Sequence, residues 1–376
     1  MIYLDYSATT PVSDEVLDTF VKASKFIGNP NSLHKLGVES KKLIDSSTKQ
    51  IAELIGCEKD EIIYTSGSSE SNNLVIKGIA SKYGNRGKKI ITTDLEHSSI
   101  YGPIGYLQKF GFEVLFVKLD ENGLVDLADL EKLMSDDVIL VTISAVNSEV
   151  GVRQPIDKIG KLLKKYPKSY FHTDMTQSIG KDIFKKDFIK DVDFISFSAH
   201  KFFGIKGVGC LINKGKISID PLIHGGKSTT VFRSGTPAPA LIASFSKALR
   251  LALDDNKAKY EKVQELNKYL REKLKKYPKI HINSNEYCIP HVLNLSIDGI
   301  KPETFQHALE EDDIYISTQS ACSSGNTKSR AVYAVTRSEE YATHSIRVSI
   351  SYITTKEELD KFIESFDKNY KKLKLK

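Results

Sequence analysis

Short β-forming runs alternate with helical stretches along residues 61–213, and this alternation limits the possible folds more than any other feature. The runs lie at residues 62–65, 89–93, 113–117, 138–144, 170–173, 193–197 and 208–212. Strands joined through helices pair in parallel, because the chain must cross over the sheet before it starts the next strand. The pattern therefore predicts an α/β fold in which helices cover both faces of a largely parallel sheet.

The pattern changes near Asp254, where a long charged segment begins. Its apolar residues recur at helical spacing, which predicts a long amphipathic helix. These residues are Tyr260, Val263, Leu266, Tyr269, Leu270 and Leu274. Further on, Thr355 and Glu358 form a capping-box motif that opens a last helix with one apolar face. We therefore place a domain boundary near residue 255, and we expect the C-terminal end to pack against the protein.

Composition excludes several classes of protein. The 376 residues carry a net charge of +6, and the excess lysines sit in stretches 161–168 and 371–376 that are typical of solvated helix ends. The N-terminus lacks the basic and apolar regions of a signal peptide, and the longest apolar run, 138–146, is far short of the roughly 20 residues of a membrane helix. We therefore expect a soluble protein with no direct nucleic-acid role.

The four cysteines are widely scattered, at positions 57, 210, 288 and 322. They form no C-x-x-C pair, so the spacing predicts neither a metal site nor a disulfide framework. Free thiols are typical of a reducing compartment, which favours the cytoplasm.

Polar clusters follow several predicted strands, at the sheet edge where ligands of α/β proteins bind. The Ser-rich segment 65–71 joins a strand to a helix that we expect to begin near Ser71, and the hydroxyls of Ser68 and Ser69 suit a phosphate there. The alternative is an ordinary serine-rich helix cap.

Lys201 ends another predicted strand beside aromatic residues, whereas most lysines of this chain lie on amphipathic helix faces. A desolvated lysine is a nucleophilic amine that forms an imine with a carbonyl group. Asp174 follows a further strand, where its carboxylate can oppose a ring nitrogen. His97 follows a fourth strand and can stack on a planar cofactor or move protons. Each of these side chains also has an ordinary structural interpretation when it is considered alone.

Two more segments carry candidate residues. Cys322 lies in a polar, small-residue stretch that is typical of an exposed and mobile loop, so its thiol is accessible to chemistry. Cys57 and Cys210 lie in or beside apolar segments and are interpreted as packing residues. Arg347 lies within an alternating strand pattern, and a half-buried arginine there calls for a carboxylate from a substrate or from the protein.

In this order, the segments resemble the cysteine desulfurases of the class V aminotransferase group, and the resemblance covers nearly the whole chain. Any one motif is weak, but the ordered set is highly specific. The matching segments are 3–10, 28–34, 65–73, 96–97, 147–151, 172–177, 196–201, 233–236, 320–322 and 345–347.

The resemblance implies a fold type I transferase dependent on pyridoxal 5'-phosphate, with a seven-stranded, mostly parallel sheet. The large domain would span residues 14–255, and residues 1–13 with 256–376 would form a smaller α+β domain. Lys201 would hold the cofactor as a Schiff base, Asp174 would pair with the pyridine nitrogen, and His97 would stack on the ring.

The resemblance also assigns the remaining site residues. The phosphate would be bound by Ser68, Ser69, Ser198 and His200, with Thr236 contributed by the second subunit of a homodimer. Asn147 and Gln177 would contact the ring side. Arg347, with Asn29 and Asn147 near it, would bind the carboxylate of L-cysteine.

The implied reaction releases L-alanine and leaves a persulfide on Cys322. The sulfur would then pass to an acceptor protein, either an iron–sulfur scaffold or a tRNA-thiolation enzyme. The alternatives are a selenocysteine lyase or a transaminase of the same fold, and a binding protein that has lost the chemistry. The chain departs from the group's usual sequence at 224–230 and 326–343, which bears on the acceptor more than on the reaction type.

Overall fold

The computed structural model describes residues 1–318 and 328–374, and its largest element is a seven-stranded sheet. The strands of the described chain are β1 (Ile2–Tyr3), β2 (Ile62–Thr65), β3 (Lys89–Thr92), β4 (Glu113–Phe116), β5 (Val138–Thr142), β6 (Tyr170–Asp174), β7 (Phe194–Ser198), β8 (Gly209–Asn213), β9 (Ile280–Ile282), β10 (Val292–Ile297), β11 (Ile314–Tyr315) and β12 (Ser345–Ser349). The large sheet has the order β2-β8-β7-β6-β5-β3-β4. In this sheet β8 runs antiparallel to both neighbours, and the other adjacent pairs are parallel. The seven runs predicted from the sequence are β2 to β8, so the mostly parallel sheet is confirmed.

Helices cover both faces of this sheet. The helices of the described chain are α1 (Asp14–Ala23), α2 (Lys35–Ile55), α3 (Ser68–Tyr83), α4 (Ser98–Gln108), α5 (Leu127–Leu133), α6 (Ile156–Leu163), α7 (Pro239–Leu253), α8 (Asn256–Leu274), α9 (Pro302–Glu310), α10 (Arg330–Thr336), α11 (Glu339–Thr343) and α12 (Lys356–Lys374). Successive strand residues point to opposite faces. Ile90 and Leu140 accordingly pack in one apolar cluster with α3 and α4, whereas Ile91 and Val141 pack in the cluster on the other face. Helices on both faces are thus confirmed.

A second, smaller sheet lies in the C-terminal part of the chain. It has the antiparallel order β12-β10-β9, and β1 pairs in parallel with β11 nearby. The apolar faces of α8 and α12 pack with these strands in one cluster that also includes Ile2 and Leu4. The predicted capping box opens α12, with bonds of 2.8 and 3.2 Å between Thr355 and Glu358. The domain limits at residues 13 and 255 stay a prediction.

The N-terminal segment links the two sheets. Asp5 forms a bridge to Ser349 at the end of β12, and the chain then crosses the carboxyl ends of the large sheet's strands. Thr10 donates a backbone hydrogen bond to the carbonyl of His200 at 2.9 Å. This path places residues 6–10 opposite the polar clusters that follow the strands. Within the described residues, no helix is both long and apolar enough to cross a membrane.

Candidate active site

A cavity opens between the carboxyl ends of the large sheet's strands and the N-terminal segment. The side that follows the strands, here called the sheet wall, consists of Ser68, Ser69, His97, Ser144 and Asp174. The opposite side, here called the N-terminal wall, consists of Ser7, Ala8 and Arg347. Gln177, His200 and Lys201 also line the cavity. The structure thus brings most of the residues singled out in the sequence to one place.

The start of α3 forms one corner of the sheet wall. The helix begins at Ser68, three residues before the start that the sequence suggested, because Gly67 (φ 157°) acts as the N-cap. A side chain at Gly209 would lie 2.5 Å from the Cα atom of Gly67, so β8 and this turn are in close backbone contact. The first amides of a helix have no partner within it and carry partial positive charge. This corner is therefore suited to a phosphate group.

Ser198 and His200 lie beside this corner. Ser198 is the last residue of β7, and a side chain at Gly67 would come within 3.5 Å of its hydroxyl. His200 Nδ1 lies 3.1 Å from the hydroxyl of Thr9, and burial, together with the positive charge of Lys201, lowers the histidine's pKa to about 4. His200 is therefore neutral near pH 7.

Asp174 is the last residue of β6 and is held by two donors. Asn72 Nδ2 donates to one carboxylate oxygen at 2.8 Å, and the amide of Thr176 donates to the other at 2.9 Å. Both contacts fix the carboxylate in an orientation toward the cavity that it lines. Asn72 was not identified from the sequence, although it lies within the matching segment 65–73.

His97 is the N-cap of α4. The amide of Ser99 donates to its Nδ1 at 3.2 Å, so Nε2 carries the proton of the neutral ring. Burial lowers the pKa of His97, and the negative charge of Asp174 opposes that shift. An uncharged ring at the cavity surface is suited to stacking on a planar ligand.

A buried carboxylate, that of Glu96, directly precedes His97 in the chain. Glu96 accepts hydrogen bonds from the hydroxyl of Thr93 at 2.7 Å and from both the amide and the hydroxyl of Ser144. It thereby joins the loop after β3 to the loop after β5. Burial raises the pKa of Glu96 to about 7. Neither Glu96 nor Ser144 was given a role from the sequence, since the signal available was only their position after a strand.

Lys201 lies in a short 3-10 turn, Ala199–Lys201, rather than at the end of the strand as expected. The strand ends at Ser198, and the chain turns there before it reaches Lys201. Lys201 Nζ donates to the carbonyls of Ser7 and Ala8 at 2.6 and 2.7 Å. Lys201 therefore joins the sheet side of the cavity to the N-terminal wall.

Arg347 is buried rather than half-buried, with 1% of its surface exposed. The reason is its place on β12, which pairs with β10 and also bridges to Ser317. Its Nη2 donates to Asp5 at 2.7 Å and its Nη1 to the carbonyl of Ser148 at 2.9 Å. Its buried Nε has no hydrogen-bond partner among the described residues. A guanidinium carries five N–H groups, of which the contacts to Asp5 and Ser148 use two, so Arg347 keeps unused donors for a ligand of the cavity that it lines.

Of the candidate residues that the structure describes, Asn29, Asn147, Ser198 and Thr236 do not line the cavity. The side chain of Asn147 closes a turn instead, accepting from the amides of Glu149 and Val150 and donating to the carbonyl of Leu95. Asn29 is exposed in the loop before α2. Thr236 is exposed and lines a separate cleft. Cys322 lies outside the described residues.

Comparisons with known proteins agree with this geometry. The Aminotransferase class-V family model matches residues 2–362. A NifS/IcsS protein homologue of Lactobacillus delbrueckii subsp. bulgaricus is 41% identical, over 98% of this chain and 97% of the relative. A cysteine desulfurase IscS of Dictyoglomus turgidum is 39% identical, over 99% and 95%. A solved NifS-like protein superposes with a TM-score of 0.92 at 33% identity, and each chain is covered completely.

The chain therefore belongs to the class V aminotransferases, a family of enzymes that depend on pyridoxal 5'-phosphate. Within that family it belongs to the cysteine desulfurases of the NifS/IscS group. The resemblance found in the sequence is confirmed.

The residues present fit the cofactor. The amine of Lys201 and the carboxylate of Asp174 line the same cavity, and the start of α3 offers free amides at one corner. The three groups that the cofactor needs, for its aldehyde, its ring nitrogen and its phosphate, are thus found together.

Proposed function

We propose that the chain removes sulfur from L-cysteine, giving L-alanine and a persulfide on Cys322. The observation that carries the proposal is that Lys201, Asp174 and Arg347 line a single cavity. An amine, a carboxylate and a guanidinium in this arrangement serve, respectively, a cofactor aldehyde, a ring nitrogen and the carboxylate of an amino acid.

The roles of the residues follow from their contacts. Bound pyridoxal phosphate supplies an electron sink for the bond electrons at the substrate's Cα. Asp174, held by Asn72, keeps the ring nitrogen protonated. Lys201 takes the proton from Cα, and the carbonyls of Ser7 and Ala8 stabilise the ammonium that results.

Arg347 binds the substrate carboxylate through N–H groups of its guanidinium that its contacts with the protein leave unused. Asp5 holds Nη2 and the carbonyl of Ser148 holds Nη1, so the guanidinium is oriented before the substrate arrives. Preorganised charge of this kind orients a ligand without the entropic cost of ordering a mobile side chain.

The residues flanking Cys322 are anchored at this site. Ser317 exchanges two backbone hydrogen bonds with Arg347, at 3.1 and 2.6 Å, and the hydroxyl of Ser329 donates to Glu149 at 2.6 Å. Cys322 follows Ser317 by five positions in the chain. We propose that its thiolate attacks the substrate sulfur. The new S–S bond forms as the C–S bond breaks, and the electron pair left on carbon takes a proton to give alanine.

We further propose a homodimer in which Thr236 of one subunit completes the phosphate site of the other. Two observations support it: Thr236 lies outside the cavity of its own chain, and an exposed apolar surface runs over α1, the following loop and the start of α2. Its members are Leu17, Val21, Phe26, Ile27, Leu33, Leu36 and Val38. Several exposed apolar side chains in one segment of the chain favour an interaction site there.

The persulfide sulfur is passed to an acceptor protein, either an iron–sulfur scaffold or a tRNA-thiolation enzyme. Free thiols support the chemistry, since Cys57, Cys210 and Cys288 form no disulfide within the described residues. Such chemistry is typical of the reducing cytoplasm, where we place the protein.

Mass spectrometry tests the proposal directly. The protein is incubated with pyridoxal phosphate and L-cysteine, and the peptide containing Cys322 is examined for one added sulfur atom. Cys322→Ser is the variant and Cys57→Ser, at a partly buried packing position, is the matched control. Added sulfur on Cys322 and loss of alanine production in Cys322→Ser alone are expected. Undiminished alanine and sulfide from Cys322→Ser would show that the thiol is incidental.

A further inference from the structure

Lys181 is a buried lysine next to the cavity for which the mechanism has no role so far. It follows β6 in the chain, and 5% of its surface is exposed. Its Nζ donates to the side-chain oxygen of Gln177 at 2.6 Å and to the carbonyl of Tyr6 at 3.2 Å. Burying a lysine is costly unless its polar head is satisfied, so these two contacts are what allow it to lie there.

The contact with Lys181 sets which way the amide of Gln177 faces. A lysine head group that donates to the amide oxygen requires the amide nitrogen to lie on the other side, and that nitrogen donates to the carbonyl of Ser7 at 2.9 Å. The amide nitrogen carries two hydrogens, of which one is used. Gln177 lines the cavity, so the second hydrogen of its amide is available to a ligand there.

The charges around Lys181 oppose its protonation. Burial lowers its pKa well below the usual value, the positive charges of Lys201 and Arg347 lower it further, and the carboxylate of Asp5 acts in the opposite direction. The buried ring of His291 also lies within its electrostatic reach. Lys181 donates to Gln177 in either protonation state, because a neutral amine still carries two hydrogens.

We infer that Lys181 is a positioning residue that fixes the amide of Gln177 so that this side chain meets the cofactor as a hydrogen-bond donor. The group it recognises is an acceptor oxygen on the ring, such as the phenolic oxygen of pyridoxal phosphate. Because Lys181 also donates to the carbonyl of Tyr6, it links the N-terminal segment to the side chain that presents this donor to the cofactor. The inference rests on the proposed placement of the cofactor against Gln177.

A double-mutant cycle tests it with readouts other than activity. The dissociation constant of pyridoxal phosphate and the pH at which the bound cofactor's visible absorbance changes are measured for the wild type, Lys181→Met, Gln177→Ala and the double variant. Lys181→Met is expected to weaken binding about tenfold, as for the loss of one buried hydrogen bond, and to move the transition pH. In the Gln177→Ala background the same substitution is expected to change the dissociation constant less than about twofold.

Lys259→Met is the matched control, because Lys259 also donates two hydrogen bonds, both to backbone carbonyls, but lies on α8 and does not line the cavity. It should leave both readouts unchanged. If Lys181→Met does not fold, Lys181→Gln replaces it in the cycle. The amide of the new glutamine can donate to Gln177, so Lys181→Gln is expected to weaken cofactor binding by about half as much, in free energy, as the loss of the hydrogen bond would.

Two outcomes would contradict the role of Lys181, and a third would contradict the placement of the cofactor on which that role depends. Unchanged binding and transition pH in Lys181→Met, or equal effects of that substitution with and without Gln177, would show that Lys181 does not act through Gln177. If Gln177→Ala itself changes neither readout, the placement of the cofactor against Gln177 is wrong, and the proposed reaction is then judged separately by the sulfur on Cys322.

Discussion

The two walls of the cavity are built in different ways. The sheet wall is held by contacts of shorter range, from the two positions between His97 and Ser99 to the 102 positions between Asn72 and Asp174. The N-terminal wall is held by contacts of very long range: Asp5 and Arg347 are 342 positions apart, and Lys201 and Ser7 are 194 apart. The sheet wall therefore follows from the regularity of one sheet, whereas the N-terminal wall exists only when distant parts of the chain have docked.

The walls also differ in what they present. The sheet wall offers side chains to a cofactor, and the N-terminal wall offers backbone carbonyls and one arginine. Substitutions of Ser7 or Ala8 do not remove their carbonyls, so the lysine contacts there tolerate sequence change. The difference suggests a division of labour in which the sheet wall holds the cofactor and the N-terminal wall holds the substrate.

The largest effect is expected from Lys201→Ala, because Lys201 joins the two sides. Alanine production from L-cysteine should fall about 1,000-fold, within the range contributed by a positioned general base. The absorbance band of the covalently held cofactor should also disappear. Lys206→Ala, an exposed lysine in the same loop, is the control and should retain activity. Activity within about tenfold of the wild type in Lys201→Ala would contradict the assignment.

Arg347→Lys is expected to impair substrate binding at the N-terminal wall and to leave cofactor binding at the sheet wall nearly unchanged. The KM for L-cysteine should rise about 100-fold, since a lysine cannot keep both protein contacts and also bind a carboxylate. The kcat should change less, and the affinity for pyridoxal phosphate should change less than about twofold. Steady-state kinetics and cofactor titration measure these, with Arg250→Lys on the surface of α7 as control. A parallel loss of cofactor affinity would show that the two walls are not separable.

Glu96→Gln tests the sheet wall through the pH dependence of the protein's stability. In the folded protein the pKa of Glu96 is raised to about 7 from the usual value of 4.5. The folded state therefore binds more protons than the unfolded state between pH 4.5 and 7, and stability falls as pH rises through that window. Relative to Glu96→Gln, the wild type should therefore lose about 2 kcal/mol of stability between about pH 5 and about pH 7.

Urea denaturation of the apoprotein at both pH values measures this effect. Glu61→Gln is a suitable control, since Glu61 is also a buried carboxylate but lies outside the cavity. The same pH dependence in wild type and Glu96→Gln would mean that Glu96 is already ionised at the lower pH in the folded protein.

The smallest effect is expected from Asn72→Ala. The substitution removes one donor to Asp174, but it also removes the buried side-chain oxygen of Asn72, which lacks a hydrogen-bond partner among the described residues. The two changes offset each other in part, so the affinity for pyridoxal phosphate should fall only about fivefold, or about 1 kcal/mol. Fluorescence titration measures it, and Asn73→Ala at the next helical position is the control. An unchanged affinity would mean that Thr176 alone orients Asp174.

The difference between the sheet wall and the N-terminal wall also separates what the sequence could predict from what it could not. The strands, the helices on both faces and the capping box of α12 follow from local patterns, and the structure confirms them. Asp174, His97 and Lys201 were found because each follows a strand of one sheet, and strand ends of a parallel sheet converge at one edge.

The rest depended on information that local patterns do not contain. The carbonyls of Ser7 and Ala8 carry no side-chain signal, and Lys181 looks like any other lysine of this lysine-rich chain. Asn147 was assigned to the site through the resemblance and stays a prediction; that its side chain closes a turn is a contact that no local pattern showed. The start of α3 was set three residues too late because a serine is a more common N-cap than the glycine that serves here.

The span of the contact between Asp5 and Arg347 has a consequence for synthesis on the ribosome. The first residues of the chain emerge early but cannot complete the N-terminal wall until residue 347 has left the exit tunnel. At about 5–20 residues per second, that delay lasts roughly 17–70 seconds. If Arg347 binds the substrate as proposed, a nascent chain therefore cannot bind it there until synthesis is nearly complete.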